Sequence, residues 1–160
     1  TGSFKIRGAV NFLQHMSSEE LEAGVLVATR GNHGLAMAWA GRFFHVPCTV
    51  VVPEGNNPEI NRIVESFGAD LIVHGRDFYD AQSYCEELVD SAGYYYVQQG
   101  NEPEILNGLA TMGLEILEDL PQDVESHEYL QLIEKQTKIC RRVVADLLGF
   151  SRQMESRVTG

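Results

Sequence analysis

Short apolar runs alternate with longer amphipathic segments through the first 122 residues. Runs such as Val25-Leu26-Val27-Ala28 are continuously apolar, which is typical of parallel strands covered on both faces. The pattern predicts strands at residues 25–28, 48–52, 71–73 and 94–97. It predicts helices at residues 6–15, 17–21, 33–44, 58–67, 78–92 and 102–120.

Strands that alternate with helices form a parallel sheet with helices on both faces. We therefore predict an α/β fold, a three-layer αβα arrangement around a roughly four-stranded parallel sheet. Functional groups in such folds concentrate in the loops at the carboxyl ends of the strands. The loop Thr29-Arg30-Gly31-Asn32-His33-Gly34 follows the first predicted strand, and we expect Asn32 to cap the helix at 33–44.

Residues 123–160 have a different pattern, so we divide the chain into a domain at 1–122 and a helical tail. Apolar side chains of the tail recur at helical spacing, and charged side chains fill the other face. This predicts one amphipathic helix at residues 125–148. Its apolar stripe packs either on its own domain or against a second copy in a homodimer.

Charge and composition exclude several classes of function. The net charge is −11, and residues 1–122 carry 17 acidic side chains against six basic ones, which disfavours binding to nucleic acid. No apolar run reaches the length of about 18 residues that a membrane helix needs. Three widely spaced cysteines predict a reduced, cytoplasmic protein, and no histidine and cysteine spacing suits a metal.

Three segments carry the functional argument, and the third of them, Gly100-Asn101-Glu102-Pro103, is in isolation only a capped start of a helix. Lys5 is the only lysine before Lys135. In a dry pocket a lysine amine becomes a nucleophile that forms a Schiff base, whereas at a frayed terminus it is a solvated charge. The Gly31-Asn32-His33-Gly34 turn places amides at a helix start, where they bind carboxylate or phosphate. The same turn also serves as a tight connection alone.

These segments together resemble a known family. Thr1-Gly2-Ser3-Phe4-Lys5-Ile6-Arg7-Gly8-Ala9 resembles the cofactor-lysine motif of fold type II pyridoxal-phosphate enzymes, most closely the serine/threonine dehydratase family. Ala28-Thr29-Arg30-Gly31-Asn32-His33-Gly34 is similar to that family's asparagine loop. Further similar segments follow in the same order at residues 50–56, 67–71, 101–103 and 110–116. The resemblance covers residues 1 to about 122 and implies the small domain of such an enzyme.

The resemblance implies pyridoxal phosphate as cofactor and a hydroxy amino acid such as threonine or serine as substrate, converted to a 2-oxo acid and ammonia. Lys5 would bind the cofactor and move protons, Phe4 would lie beside the cofactor ring, and Asn32 would hydrogen-bond the ring hydroxyl. Four residues would bind the substrate, largely through backbone amides: Ser3, Thr29, Gly31 and His33.

The sequence departs from the family pattern at three places. Arg30 stands where dehydratases often have a small residue and racemases a serine, which disfavours a racemase. Leu35 stands where glutamine is common. No Gly-x-Gly cluster follows Gly113, so the phosphate-binding loop and large domain of the family have no counterpart.

Three functions therefore stay open on sequence grounds. The first is a pyridoxal-phosphate-dependent ammonia-lyase, of which this chain is a partial or rearranged form. The second is a non-catalytic truncated domain that folds and self-associates through its C-terminal helix. The third is a binding module that uses the Asn32 loop for a small carboxylate.

Overall fold

The computed structural model of this chain describes residues 1–120, 126, 128–133, 135, 136 and 139. The chain divides into two units, Thr1–Glu115 and Ile116–Gly160. The described residues beyond 120 are helical, and the rest of the helix predicted at 125–148 lies outside the described residues. A domain boundary at residue 122 stays a prediction. Within the described residues, no helix combines the length and the apolar character needed to cross a bilayer.

The first unit holds a four-stranded sheet whose strands are all parallel. The strands are β1 Val25–Ala28, β2 Cys48–Val52, β3 Asp70–Val73 and β4 Tyr95–Tyr96. The helices are α1 Lys5–His15, α2 Ser18–Ala23, α3 Asn32–Phe44, α4 Pro58–Ser66, α5 Phe78–Ala92 and α6 Pro103–Asp119. The predicted α/β fold with a parallel sheet is confirmed.

Local sequence signals explain where several of these helices begin and end. Ser17 and Glu20 form a capping box at the start of α2, each side chain accepting a hydrogen bond from the other residue's backbone N–H. Asp77 caps α5 by accepting from two first-turn amides. Gly93 ends α5 at φ 77°, a left-handed conformation that suits glycine.

The two faces of the sheet are covered by different helices. Along β1, Val25 and Val27 pack in one core with residues of α1, α3 and α4. Leu26 and Ala28 point the other way and pack with Ala81 and Cys85 of α5. Because successive strand residues face opposite sides, the continuously apolar run satisfies both helical layers. The three-layer arrangement predicted from the sequence is confirmed.

The strand order β3-β2-β1-β4 determines where a ligand can bind. The chain moves outward from β1 through β2 to β3, and then crosses the opposite face through α5 to place β4 on the other side of β1. The direction of winding therefore reverses next to β1. In open α/β sheets the carboxyl ends of the strands part at such a point and leave a crevice.

Candidate active site

A cleft of about 480 Å³ lies at the carboxyl ends of β1 and β4. It is lined by Lys5 from α1, by the loop after β1, by two residues of α5 and by the loop after β4. Five of the predicted site residues line it: Lys5, Thr29, Gly31, Asn32 and His33. The structure thus brings the two candidate motifs together, although 23 residues of chain lie between Lys5 and Thr29.

Thr29 organises the loop after β1. Its side chain is buried, and its hydroxyl accepts hydrogen bonds from the Gly31 amide at 3.1 Å and the Gly34 amide at 3.3 Å. The expectation that Asn32 caps α3 was wrong, because the helix begins at Asn32 itself with Gly31 as its N-cap. The Asn32 side chain is consequently left without a hydrogen bond among the described residues.

The start of α3 offers two free backbone donors. The first N–H groups of a helix have no acceptor within the helix. Thr29 satisfies the amides of Gly31 and Gly34, whereas those of Asn32 and His33 have no acceptor among the described residues. Free amides at the positive end of a helix dipole fit a carboxylate.

Gly34 lets α3 begin close to the sheet. A Cβ at this position would lie 2.4 Å from Thr29 Cγ2 and 3.0 Å from Val50 Cγ1. A side chain there would therefore push the helix away from β1 and β2. It would also break the contact of the Gly34 amide with the Thr29 hydroxyl.

Lys5 is the first residue of α1, and the residues before it set its position. The Lys5 amide donates to Ser3 Oγ at 3.3 Å, and Lys5 Nζ lies 5.1 Å from the centroid of the exposed Phe4 ring. Ser3 and Phe4 do not belong to the residues that line the cleft. Their predicted contacts with substrate and cofactor stay predictions.

His33 is 5% exposed. Burial and the charge of Lys5 lower its pKa to about 4, and an interaction with the Val97 backbone partly opposes this lowering. His33 Nε2 is buried and has no hydrogen-bond partner among the described residues. With its pKa lowered to about 4, the ring is neutral near pH 7.

Comparison with known proteins identifies the class. The sequence profile of the family described as pyridoxal-phosphate dependent enzyme matches residues 1–128, so the chain belongs to this family. The L-threonine ammonia-lyase of Thermotoga maritima is 40% identical over 127 residues, which are 78% of this chain and 31% of that protein. The resemblance to the dehydratases predicted from the sequence is confirmed.

Solved structures agree with this assignment. The processed form of threonine deaminase isoform 2 from Solanum lycopersicum is 34% identical with a TM-score of 0.70, covering 74% of this chain and 34% of that one. Serine racemase from Dictyostelium discoideum is 29% identical with a TM-score of 0.69, covering 76% and 39%. The chain thus spans about a third of the length of these relatives.

The residues of the cleft fit part of the family's cofactor. An amine that can react with an aldehyde is present in Lys5, and Asn32 has a free amide side chain close to the helix start. The buried Nε2 of His33 marks a place where a bound ligand can complete a hydrogen bond. A phosphate dianion needs several converging donors, and among the described lining residues no glycine-rich loop supplies them.

The other wall of the cleft carries none of the predicted site residues, although it includes Gly100 and Asn101 of the third segment singled out in the sequence. Phe78 and Gln82 of α5 and residues 96–100 after β4 also line it. The available signal was the polar Gln98-Gln99-Gly100-Asn101 stretch that follows an apolar strand. It could not be assigned to the site without the strand order, which places β4 beside β1.

Proposed function

We propose that this chain supplies the lysine side of the active site of a pyridoxal-phosphate-dependent ammonia-lyase that acts on a hydroxy amino acid such as threonine or serine. The observation that carries the proposal is that Lys5 and the free amides at the start of α3 line one cleft at the switch point of the sheet. Membership of the pyridoxal-phosphate family and the similarity to threonine ammonia-lyases support it.

In this proposal Lys5 has two roles. Its amine would hold pyridoxal phosphate through the aldehyde carbon, and as the free amine it would take the α-proton of the substrate. Bound pyridoxal phosphate would supply an electron sink that stabilises the charge left on the α-carbon. The substrate would lose its α-proton and β-hydroxyl as water, and addition of water to the resulting enamine would give a 2-oxo acid and ammonia.

The loop after β1 holds the substrate. The amides of Asn32 and His33 would bind its carboxylate, and the Asn32 side chain would hydrogen-bond the ring hydroxyl of the cofactor. Thr29 and Gly31 were expected to bind the substrate, but the Gly31 amide already donates to the Thr29 hydroxyl. These two residues would therefore contribute by holding this loop in one conformation. Ser3 and Phe4 complete the substrate and cofactor contacts beside Lys5.

Product formation tests the proposal. The full chain, mixed with pyridoxal phosphate and L-threonine, is expected to release 2-oxobutanoate and ammonia in equal amounts, faster than the free cofactor does. The excess rate should disappear in Lys5→Ala and persist in Lys135→Ala, which removes an exposed lysine outside the cleft. A rate equal to that of the free cofactor, or one unaffected by Lys5→Ala, would contradict it.

The same proposal includes the cellular location of the protein and its binding partners. We place it in the cytoplasm, in keeping with the free, buried thiols of Cys48 and Cys85. Its partners would be an amino-acid substrate and a second copy bound through the helix at 125–148, with neither nucleic acid nor membrane. The domain at 1–122 would carry the chemistry and the tail at 123–160 the association.

A further inference from the structure

Arg30 differs from the other arginines of residues 1–120 in having no partner. Each of the other four makes a hydrogen bond or ion pair: Arg7 with Glu115, Arg42 with the Ser66 carbonyl, Arg62 with the Pro58 carbonyl and Arg76 with Asp80. Arg30 is exposed, lines the cleft, and has no hydrogen bond or ion pair among the described residues. Its guanidinium is therefore available to a ligand.

The cleft around Arg30 is positive although the chain is acidic. The net charge is −11, yet none of the described residues that line the cleft is an aspartate or glutamate. Lys5 and Arg30 supply full positive charges. The free amides at the start of α3 add partial positive charge. Such a site attracts a ligand with more than one anionic group.

A hydrogen bond within the loop after β1 holds the backbone on either side of Arg30. Its neighbours Thr29 and Gly31 are joined by the bond from the Gly31 amide to the Thr29 hydroxyl. The amides of Asn32 and His33, two and three residues after Arg30, have no acceptor among the described residues and can bind one carboxylate. A planar guanidinium binds a second carboxylate through two parallel hydrogen bonds.

An arginine side chain does not give up its proton in proteins, so Arg30 cannot serve as a second acid/base for racemisation.

We propose that Arg30 is a specificity-determining residue that binds the side-chain carboxylate of a dicarboxylic hydroxy amino acid, such as 3-hydroxyaspartate. This inference rests on the proposed function, which places the α-carboxylate on the amides of the same loop. The cofactor phosphate is the other anion that a guanidinium could hold. We favour the substrate because Arg30 belongs to the same short loop as the amides that we propose bind the α-carboxylate.

Direct binding to the full chain tests the proposal without turnover. Titrations with 3-hydroxyaspartate and with threonine, followed by amide chemical shifts, are expected to show the dicarboxylate binding on the order of tenfold more tightly. Arg30→Gln should bring the two affinities to within about twofold, and Arg30→Lys should retain part of the preference. Arg62→Gln removes an exposed arginine outside the cleft and should change nothing.

The outcomes separate the alternatives. Equal affinities in the unmodified chain, a preference that survives Arg30→Gln, or no binding of either amino acid would overturn the proposal. If Arg30→Gln instead weakens binding of pyridoxal phosphate and leaves pyridoxal unchanged, Arg30 holds the phosphate and the proposal is also overturned. If no cofactor attaches to Lys5 but the Arg30-dependent preference remains, the proposed function fails and this inference stands.

Discussion

His33 is a residue whose charge is set by its burial. Its pKa is about 4 in the folded chain against an ordinary 6.5, so the unfolded chain takes up the proton first as the pH falls. The contribution of neutral His33 to stability is therefore complete above about pH 6.5 and is lost progressively toward pH 4, about 3 kcal/mol in all.

Urea unfolding at about pH 7 and about pH 4.5 measures this effect. The unmodified chain should lose about 2 kcal/mol more between the two pH values than His33→Gln does. His45→Asn is the matched control, since His45 is exposed and its φ of 59° suits asparagine. Equal losses in the unmodified chain and in His33→Gln would show that His33 is not buried in its neutral form.

The charge of Lys5 should have a measurable effect on the pKa of His33. The positive amine of Lys5 lowers the pKa of His33, so Lys5→Met is expected to raise that pKa. An NMR titration of the imidazole signals measures the change, with Lys135→Met as the control. A His33 pKa that is the same in both variants would place Lys5 away from the cleft wall.

Sequence reasoning brought together the residues that line one wall of the cleft, but it misassigned the cap of α3. Lys5, Asn32 and His33 were found because their motifs carry recognisable residue types in a recognisable order. The role of the Thr29 hydroxyl was not predicted, since the loop folds back on the helix start and lets this hydroxyl reach two amides at once. That geometry depends on Gly34, and only the structure shows that a Cβ there would collide with Thr29 and Val50.

The crossing of α1 and α6 positions the helix that carries Lys5. A Cβ at Gly108 would lie 2.5 Å from the Arg7 carbonyl and 2.8 Å from Gly8 Cα. Gly108→Ala should therefore destabilise the fold by about 1–3 kcal/mol, even though alanine favours helices. Denaturant unfolding measures the change.

A second glycine of α6 provides the matched control. A Cβ at Gly113 would meet no atom of the described residues within 4 Å, so Gly113→Ala should be neutral or stabilise the helix by up to about 1 kcal/mol. Equal destabilisation by both substitutions would show that helix propensity, rather than the close contact of α1 with α6, controls the result.

The elements themselves were largely predictable, and their arrangement was not. All four strands were found, because apolar runs between turn residues mark buried parallel strands. The prediction for β4 was too long: it is only Tyr95–Tyr96, at the edge of the sheet. Its place beside β1 follows from the crossover of α5 on the opposite face, which depends on long-range packing against Leu26 and Val51.

At the scale of the whole molecule, the tail is proposed to join two copies of the chain. Leu132 is exposed in the described part of the tail, and Val143 belongs to the same apolar stripe in the sequence. Sedimentation equilibrium should give a dimer for the unmodified chain and a monomer for the double variant Leu132→Asp, Val143→Asp. Gln131→Asp adds one charge at an exposed polar position and should leave the dimer intact. An unchanged mass in the double variant would exclude this interface.

The proposal that Lys5 binds the cofactor is tested most directly by locating the amine to which pyridoxal phosphate attaches. The full chain is mixed with the cofactor, reduced with borohydride, digested and mapped by mass spectrometry. The lysines are at positions 5, 135 and 138, and the mapping separates them from one another and from the amine of Thr1. We predict a visible absorbance band before reduction and modification at Lys5, both lost in Lys5→Ala. Attachment spread equally over the three lysines, or none at Lys5, would contradict it.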